Sequence, residues 1–472
     1  MKKTLATVAA LFAIAIAANA QEEEVLYDQY GKRVTGEPLK VQQEDGIFRA
    51  RGSEYKLWFD SRVQADGAVF FGQQDWADPI GNGINMRRVR FAVKTQVTKD
   101  WYGEVDVDFA NGAFELKDAI IRYDGIPNME IQLGNFKEFF SIQRNNSSRY
   151  LQFMERPMVS QCLAPSRHLG LNAKYAKDAI WASAGIFFQE IEGQETRTFS
   201  ENNNKLTNFD TDEGISLTGK FVWMPGFDKE NWGLHIAAAA SYRQPKTSAE
   251  IWGYNRYSTR NNTSVNRKKY IDTGDFGMVD FSTIYTAELA GYWGGFRGEA
   301  AYIGNTTLLK NAPELGGKAK NFGGWYVQGG YLLFGGKQHY DSNGAKFNRV
   351  TRGQNWGDVE LCGRVEQIDL NADKAYWDAA TYEQAGKLIM GGSAMAFSIG
   401  INYYINNNVK FVLDYQYTDN DMFASGKSNK FFVGRDGDGN ATRDPRKVDF
   451  EKTGDMGGIN YHMVSTRLEI NF

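Results

Sequence analysis

The sequence predicts an all-β fold: one closed 16-stranded antiparallel transmembrane β-barrel with an inward-folded constriction loop. Three observations carry that expectation. The last segment alternates strictly, with Val464, Thr466, Leu468, Ile470 and Phe472 on one face and Met463, Ser465, Arg467, Glu469 and Asn471 on the other. Successive side chains of a strand point to opposite faces, so this strand has one apolar and one wet side. The first twenty residues have the build of a secretory leader, removed after export. Between them, sixteen candidate strands are joined by links that alternate short and long, the rhythm of a barrel whose turns on one side are tight.

The leader consists of Lys2 and Lys3, an apolar run from Leu5 to Ala18, and a small-x-small site at Ala18-Asn19-Ala20 before Gln21. That run is too short to span a bilayer, no cysteine follows the cleavage site, and no other apolar stretch reaches the ~18 residues of a membrane helix. An exported chain that crosses a membrane by strands belongs in the outer membrane of a Gram-negative bacterium, facing its lipid. The aromatic-ended final strand is similar to the signature read by the barrel-assembly machinery. Hydrophobic residues at 42% with mean hydropathy −0.50 suit a wall in which only alternate residues meet lipid. The formal charge of −3 gives no reason to expect nucleic acid. Two cysteines, Cys162 and Cys362, make no disulfide framework and are expected as free thiols, one bridge being the alternative. Four scattered histidines lack metal-ligand spacing, so no metal, cofactor or catalytic residue is assigned.

The expected organisation is a signal peptide over 1–20, an N-terminal periplasmic extension over 21–54 and the barrel over 55–472. Strands are placed at 55–66, 84–98, 101–110, 115–124, 128–136, 167–176, 178–190, 212–224, 231–243, 278–293, 295–304, 321–334, 357–370, 388–405, 408–418 and 459–472. With both termini periplasmic, the short links fall on that side, among them Lys99-Asp100, Ala176-Lys177 and Gly294. Long polar loops lie at 191–211, 244–277, 371–387 and 419–458. Residues 335–356 break the rhythm, being periplasmic by count yet long.

Parity assigns the faces. Val89, Phe91, Val93, Val105, Val107, Phe109, Phe411, Leu413, Leu468 and Ile470 should face lipid. Arg88, Arg90 and Lys94 then point inward from the second strand, and Glu104, Asp106 and Asp108 from the third. A basic column thus stands beside an acidic one, either as cross-strand ion pairs or as a transverse field in a watery pore. Inward Asp60, Arg62, Arg297, Glu299, Glu360, Arg364, Glu366, Arg467 and Glu469 add mixed charge. The segment Lys137 to His168 is too long for a hairpin and carries Phe139, Phe140, Tyr150, Leu151, Phe153 and Met154. So apolar a loop is expected to fold into the barrel. Its Lys137, Arg144, Arg149, Arg156 and Arg167 outnumber Glu138 and Glu155, and arginine forks suit transient binding of phosphate or carboxylate. The alternative is that they pair with wall acids such as Asp106 and Asp118.

These residues reach a known family. LGNFKEFFSIQ from Leu133, SSRYLQFMER from Ser147, GGWYVQGGYLLFGG from Gly323, WGDVELCGRVEQIDLN from Trp356 and MRRVRF from Met86 resemble the phosphate-selective porin O/P family, over about residues 50–472. The resemblance implies a trimeric sixteen-stranded porin with inward-folded loops, carrying small anionic or polar solutes, phosphate among them. It also implies a long periplasmic turn entering the lumen, which would account for 335–356. Phe139 and Gln143 depart from the family's usual Pro and Glu, and Phe334-Gly335-Gly336-Lys337 from its Thr-Gly-Glu. Two other readings are a plugged structural or adhesive barrel and an outer-membrane esterase, for which no histidine sits in a supporting motif. Asp436, Asp438 and Asn440 have calcium-loop spacing, but Ala441 and Lys447 stand where the glycine and bidentate glutamate belong, so a solvated loop is expected.

Overall fold

The computed structural model describes residues 41–44, 47–50, 54–110, 112, 114–191, 214–226, 229, 231–245 and 253–472. The leader lies outside the described residues, as does most of 21–54. Sixteen strands close into one barrel: β1 (Lys56–Phe71), β2 (Gly83–Gln96), β3 (Trp101–Asp108), β4 (Glu115–Ile126), β5 (Met129–Lys137), β6 (Arg167–Lys177), β7 (Ile180–Phe187) and β8 (Ser216–Trp223). The others are β9 (Trp232–Arg243), β10 (Val279–Trp293), β11 (Phe296–Leu309), β12 (Ala319–Leu332), β13 (Asp358–Asn371), β14 (Met390–Tyr404), β15 (Val409–Asn420) and β16 (Asn460–Asn471). Each is antiparallel to its neighbours in sequence. Closure comes from β16 on β1, running from His462 opposite Phe71 to Asn471 opposite Arg62, and ends with reciprocal bonds between Ser61 and Phe472. A hairpin of Val41–Glu44 and Ile47–Ala50 extends the sheet beside Lys56–Trp58.

Pleat alternation fixes which side chains meet lipid. Phe411, Leu413, Leu468 and Ile470 are exposed on the outer face, while Arg467 and Glu469 between them are buried inside. Val105 and Phe109 are likewise exposed, whereas Val107, opposite Phe91, is buried. The second strand departs from simple alternation. Gln64 pairs with Arg88 but Ala65 with Met86, so Arg87 is an extra residue in a bulge. Below it Ile84 and Met86 face outward. Above it the outward set is Val89, Phe91 and Val93, and both Arg87 and Arg88 turn toward the lumen, which parity alone could not foretell.

The lumen is partly filled from both ends. Residues 138–166 fold inward between β5 and β6, with two short helices, α1 (Ile142–Asn145) and α2 (Met158–Cys162). The link between β12 and β13, on the side of the tight turns, also enters, as a hairpin pairing Tyr340-Asp341 with Lys346-Phe347. A third insertion corrects the expectation of a plain polar loop at 244–277. Asn261 to Val265 are buried, Asn262 reaches Glu366 and Gln416, and Ser264 reaches Asp66. Asp436 heads the turn of a small hairpin, its Oδ1 accepting from the amides of Asp438 and Asn440. Both cysteines are free thiols. The face assignment gives a test: Leu413→Arg should cost about 2–4 kcal/mol if Leu413 sits near the bilayer midplane. Urea unfolding in lipid vesicles measures it, and an unchanged midpoint would contradict the outward placement.

Candidate functional site: a charged slot beside the constriction loop

Residues 138–166 have little regular structure, so their backbone groups need partners other than each other. The wall supplies them. Amides of Ile142, Met154 and Met158 donate to Glu288, Asp414 and Glu366 at 2.8, 2.9 and 2.5 Å. Carbonyls of Tyr150, Leu151, Gln152, Met154 and Glu155 accept from Arg297, Lys410, Asn402, Arg467 and Arg364 at 2.6–2.9 Å. Gln143 and Gln152 donate to Glu299 and Glu360. All these wall groups sit on β10, β11 and β13–β16. Much of the mixed inward charge seen in the sequence is therefore a bed for the loop. Apolar side chains complete the docking, with Phe140, Met158 and Val159 in the main buried cluster.

The opposite wall, β1–β6, meets the loop only through a few side chains and borders a cavity of about 640 Å³. Every expected site residue lines it: Arg88, Arg90, Lys94, Glu104, Asp106, Asp108, Lys137, Arg144, Arg149, Arg156 and Arg167. Fourteen basic side chains border the slot against eight acidic ones. Many are paired. Arg90 reaches Asp108 at 2.9 Å and Asp106 at 3.5 Å, and Lys94 reaches Asp60 at 2.8 Å and Glu104 at 3.6 Å, the cross-strand pairs that register permits. Arg167 is bidentate on Asp118. Arg149 borders the slot from its wall, where Asp60 and Asn471 hold it.

Of the slot's fourteen basic side chains, four have no carboxylate in ion-pair reach among the described residues: Arg62, Lys137, Arg144 and Arg156. Arg62 donates to Ser148 Oγ at 2.6 Å, and Arg144 to the carbonyl of Gln161 at 2.9 Å. Lys137 and Arg156 share the carbonyl of Asn146, at 3.4 and 2.9 Å. The Nε groups of Arg62 and Arg144 are buried with no acceptor. Burial, then the adjacent charge of Arg144, pushes the Arg156 guanidinium down to about 9, as expected of crowded cations lacking a counter-ion.

Arg87 was not singled out in the sequence, because the bulge hides its inward direction. It forms a bidentate contact with Glu155, at 2.5 and 3.2 Å, and Arg467 adds a third bond at 3.2 Å. Arg88 stands 4.0 Å away. Burial raises the Glu155 carboxyl, but Arg87 and Arg88 more than offset that and hold it well below its usual 4.5.

A closed outer-membrane barrel with a water-accessible charged slot defines a porin-type channel. Residues 59–435 match the family Phosphate-selective porin O and P, and the chain belongs to it. It is 24% identical over 468 residues to Porin O of Pseudomonas aeruginosa, covering 94% of this chain and 98% of that one. An uncharacterized protein of Caulobacter vibrioides is 25% identical over 333 residues, 69% of this chain and 62% of its own. Among solved structures, OmpT of Vibrio cholerae is similar with TM-score 0.48 and 12% identity, over 91% of this chain and 99% of that one. An anion-selective porin from Comamonas acidovorans is similar with TM-score 0.47 and 10% identity, over 89% and 100%. The protein is thus an outer-membrane porin.

Glu155→Gln tests how the loop is held. It leaves Arg87 and Arg467 without their shared carboxylate, at a cost of about 3 kcal/mol by analogy with broken buried pairs. Because the folded carboxyl lies below its ordinary value, its contribution is fully present above pH 4.5 and is lost as pH falls further. Wild-type current in planar bilayers should stay quiet at pH 4.5 and become noisy only well below it, and the variant should be noisy already at pH 7. Quiet current in both would contradict the assignment.

Proposed function

We propose that this porin is a passive diffusion channel that favours anions, phosphate-like oxyanions included. The observation that carries the reading is the cation group Arg62, Lys137, Arg144 and Arg156, without carboxylates in ion-pair reach, in the opening of about 640 Å³ beside the loop. Guanidinium forks and an ammonium donate to oxyanions without requiring a fixed number of contacts. Conduction needs binding that is favourable but spread over several sites, and Arg88, Arg90 and Arg167 continue the cationic path. The paired acids Asp106, Asp108 and Glu104 keep that path from becoming a trap. Lys137→Glu with Arg156→Glu should move the reversal potential in a salt gradient toward cation selectivity, and the shift should shrink at high salt. An unchanged reversal potential in a folded double variant would overturn anion preference. The four histidines bond to Glu138 and Arg243, Tyr340, Thr351 and Tyr415, none to a serine hydroxyl among the described residues, which favours a channel over an esterase.

Residues 1–20 act as the export signal in this reading, and the porin works as a homotrimer. Strands β3, β7 and β8 have eight residues and β5 nine, whereas β9–β15 have twelve to fifteen. A membrane strand needs about 9–11, so β3, β7 and β8 fall short of it, although β4 and β6 between them do not, and the outer face there is better covered by protein. Its outer face holds an apolar groove with Gly103, Gly134 and Gly170 in its lining, rimmed by Val105, Ile121, Leu133 and Leu171. Unheated protein extracted in mild detergent should have three times the mass of the mature chain, which is the 53.2 kDa sequence less residues 1–20, and Gly103→Trp should reduce it to monomers. A monomeric wild type would contradict the trimer.

A further inference from the structure

The two segments that enter the lumen from opposite ends pack together around Ile142 and Phe347 and are joined by a hydrogen bond at Asn146. Asn146, wholly buried, caps α1, its own amide donating to the carbonyl of Ile142 at 2.8 Å. Its side-chain Oδ1 accepts from the backbone amide of Phe347, in the β12–β13 hairpin, at 2.9 Å. Its backbone carbonyl accepts from Arg156 and Lys137, two of the four cations without an acid. One residue is thus gripped by the hairpin and in turn orients half of the unpaired charge.

Phe347 is well placed to fix that grip. It is fully buried, packs with Ile142, Ala290 and Tyr292, and Tyr340 leans on the same cluster. The Arg297 guanidinium lies 3.9 Å over its ring and donates onward to the carbonyl of Tyr150, so the ring also steadies the far end of the same loop turn. The hairpin is itself anchored on the opposite wall, where the Asn343 carbonyl accepts from Lys174 at 3.0 Å and from Trp181 Nε1 at 2.9 Å. Phe347 does not border the slot, so it has no direct contact with a passing solute.

We propose that the β12–β13 hairpin sets the geometry of the anion path, with Phe347 and Asn146 as positioning residues for Lys137 and Arg156. The inference rests on the anion reading of the slot. In the hairpin's absence the Asn146 carbonyl that both cations share would no longer be held in place; Arg156 would keep its second bond, to the carbonyl of Gln143, while Lys137 would lose its fixed distance from it. The hairpin then tunes how tightly an oxyanion is held, while the charge count sets only the sign of selectivity.

The test uses full-length porin in planar bilayers, with inorganic phosphate as a blocker of chloride current and a potassium chloride gradient for the reversal potential. Phe347→Ala should raise the half-blocking phosphate concentration about three- to tenfold, the effect of one lost hydrogen bond or its equivalent in packing. Phe347→Leu should stay near wild type. Asn146→Leu, which keeps the hairpin's cluster intact, should reproduce the loss and serves if Phe347→Ala does not fold. In a Lys137→Met, Arg156→Gln background, Phe347→Ala should change nothing further. Block untouched by Phe347→Ala and by Asn146→Leu would overturn the inference, as would an equal added effect in the neutral background, which would mean general loosening. A wild-type channel with no anion preference would overturn the anion reading instead, so the two failures are distinguishable.

Discussion

The structure depends on how a nearly unstructured loop is kept inside a barrel. A segment of that length buries many amides and carbonyls away from water, and each left unpaired costs about 1–3 kcal/mol. The loop has too little helix to pair them itself. Charged side chains on β10, β11 and β13–β16 take the role that a ladder or a helix would otherwise have: carboxylates receive the amides, and guanidiniums and an ammonium the carbonyls. The polar wall of a wide barrel has these groups to offer without crossing a lipid face.

From that docking follows an eccentric passage. With the loop pressed on one side of the lumen, the open slot runs along β1–β6, and charge on the two walls acquires different meanings. Arg297, Arg364 and Arg467 are arginines like Arg88 and Arg90, yet they are occupied by the loop's backbone. Glu155 is the reverse connection, the loop's carboxylate reaching across to the bulged pair Arg87-Arg88. The bulge matters because it turns two successive arginines to one side, which an unbroken strand cannot do.

Much of this was legible in the sequence. All sixteen strands follow from alternation and turn rhythm, and inward folding of 138–166 follows from the apolar content of a loop that would otherwise sit in water. All eleven site residues border the slot. What was not legible has physical causes. A bulge is a one-residue change of register with no compositional mark, so Arg87 escaped. The insertion at 253–278 is rich in Asn, Ser and Thr, which read as solvated loop but here bond to Glu366, Gln416 and Asp66. Parity places a charge inside the barrel but does not name its partner. Arg149, which Asp60 holds, therefore could not be distinguished from Arg144 and Arg156, which have no carboxylate in ion-pair reach.

The central claim is that solute passes along β1–β6 while the opposite wall is sealed by the loop. Cysteine accessibility tests it most directly, in a background with Cys162→Ser and Cys362→Ser. Single cysteines at Lys94 and Arg122 line the slot, and single cysteines at Gln328 and Asn402 lie under the loop. Current through each variant is recorded while a small charged methanethiosulfonate is added. The account predicts rapid block at Lys94→Cys and Arg122→Cys and none at Gln328→Cys or Asn402→Cys. Equal block at all four positions, or block only under the loop, would contradict it.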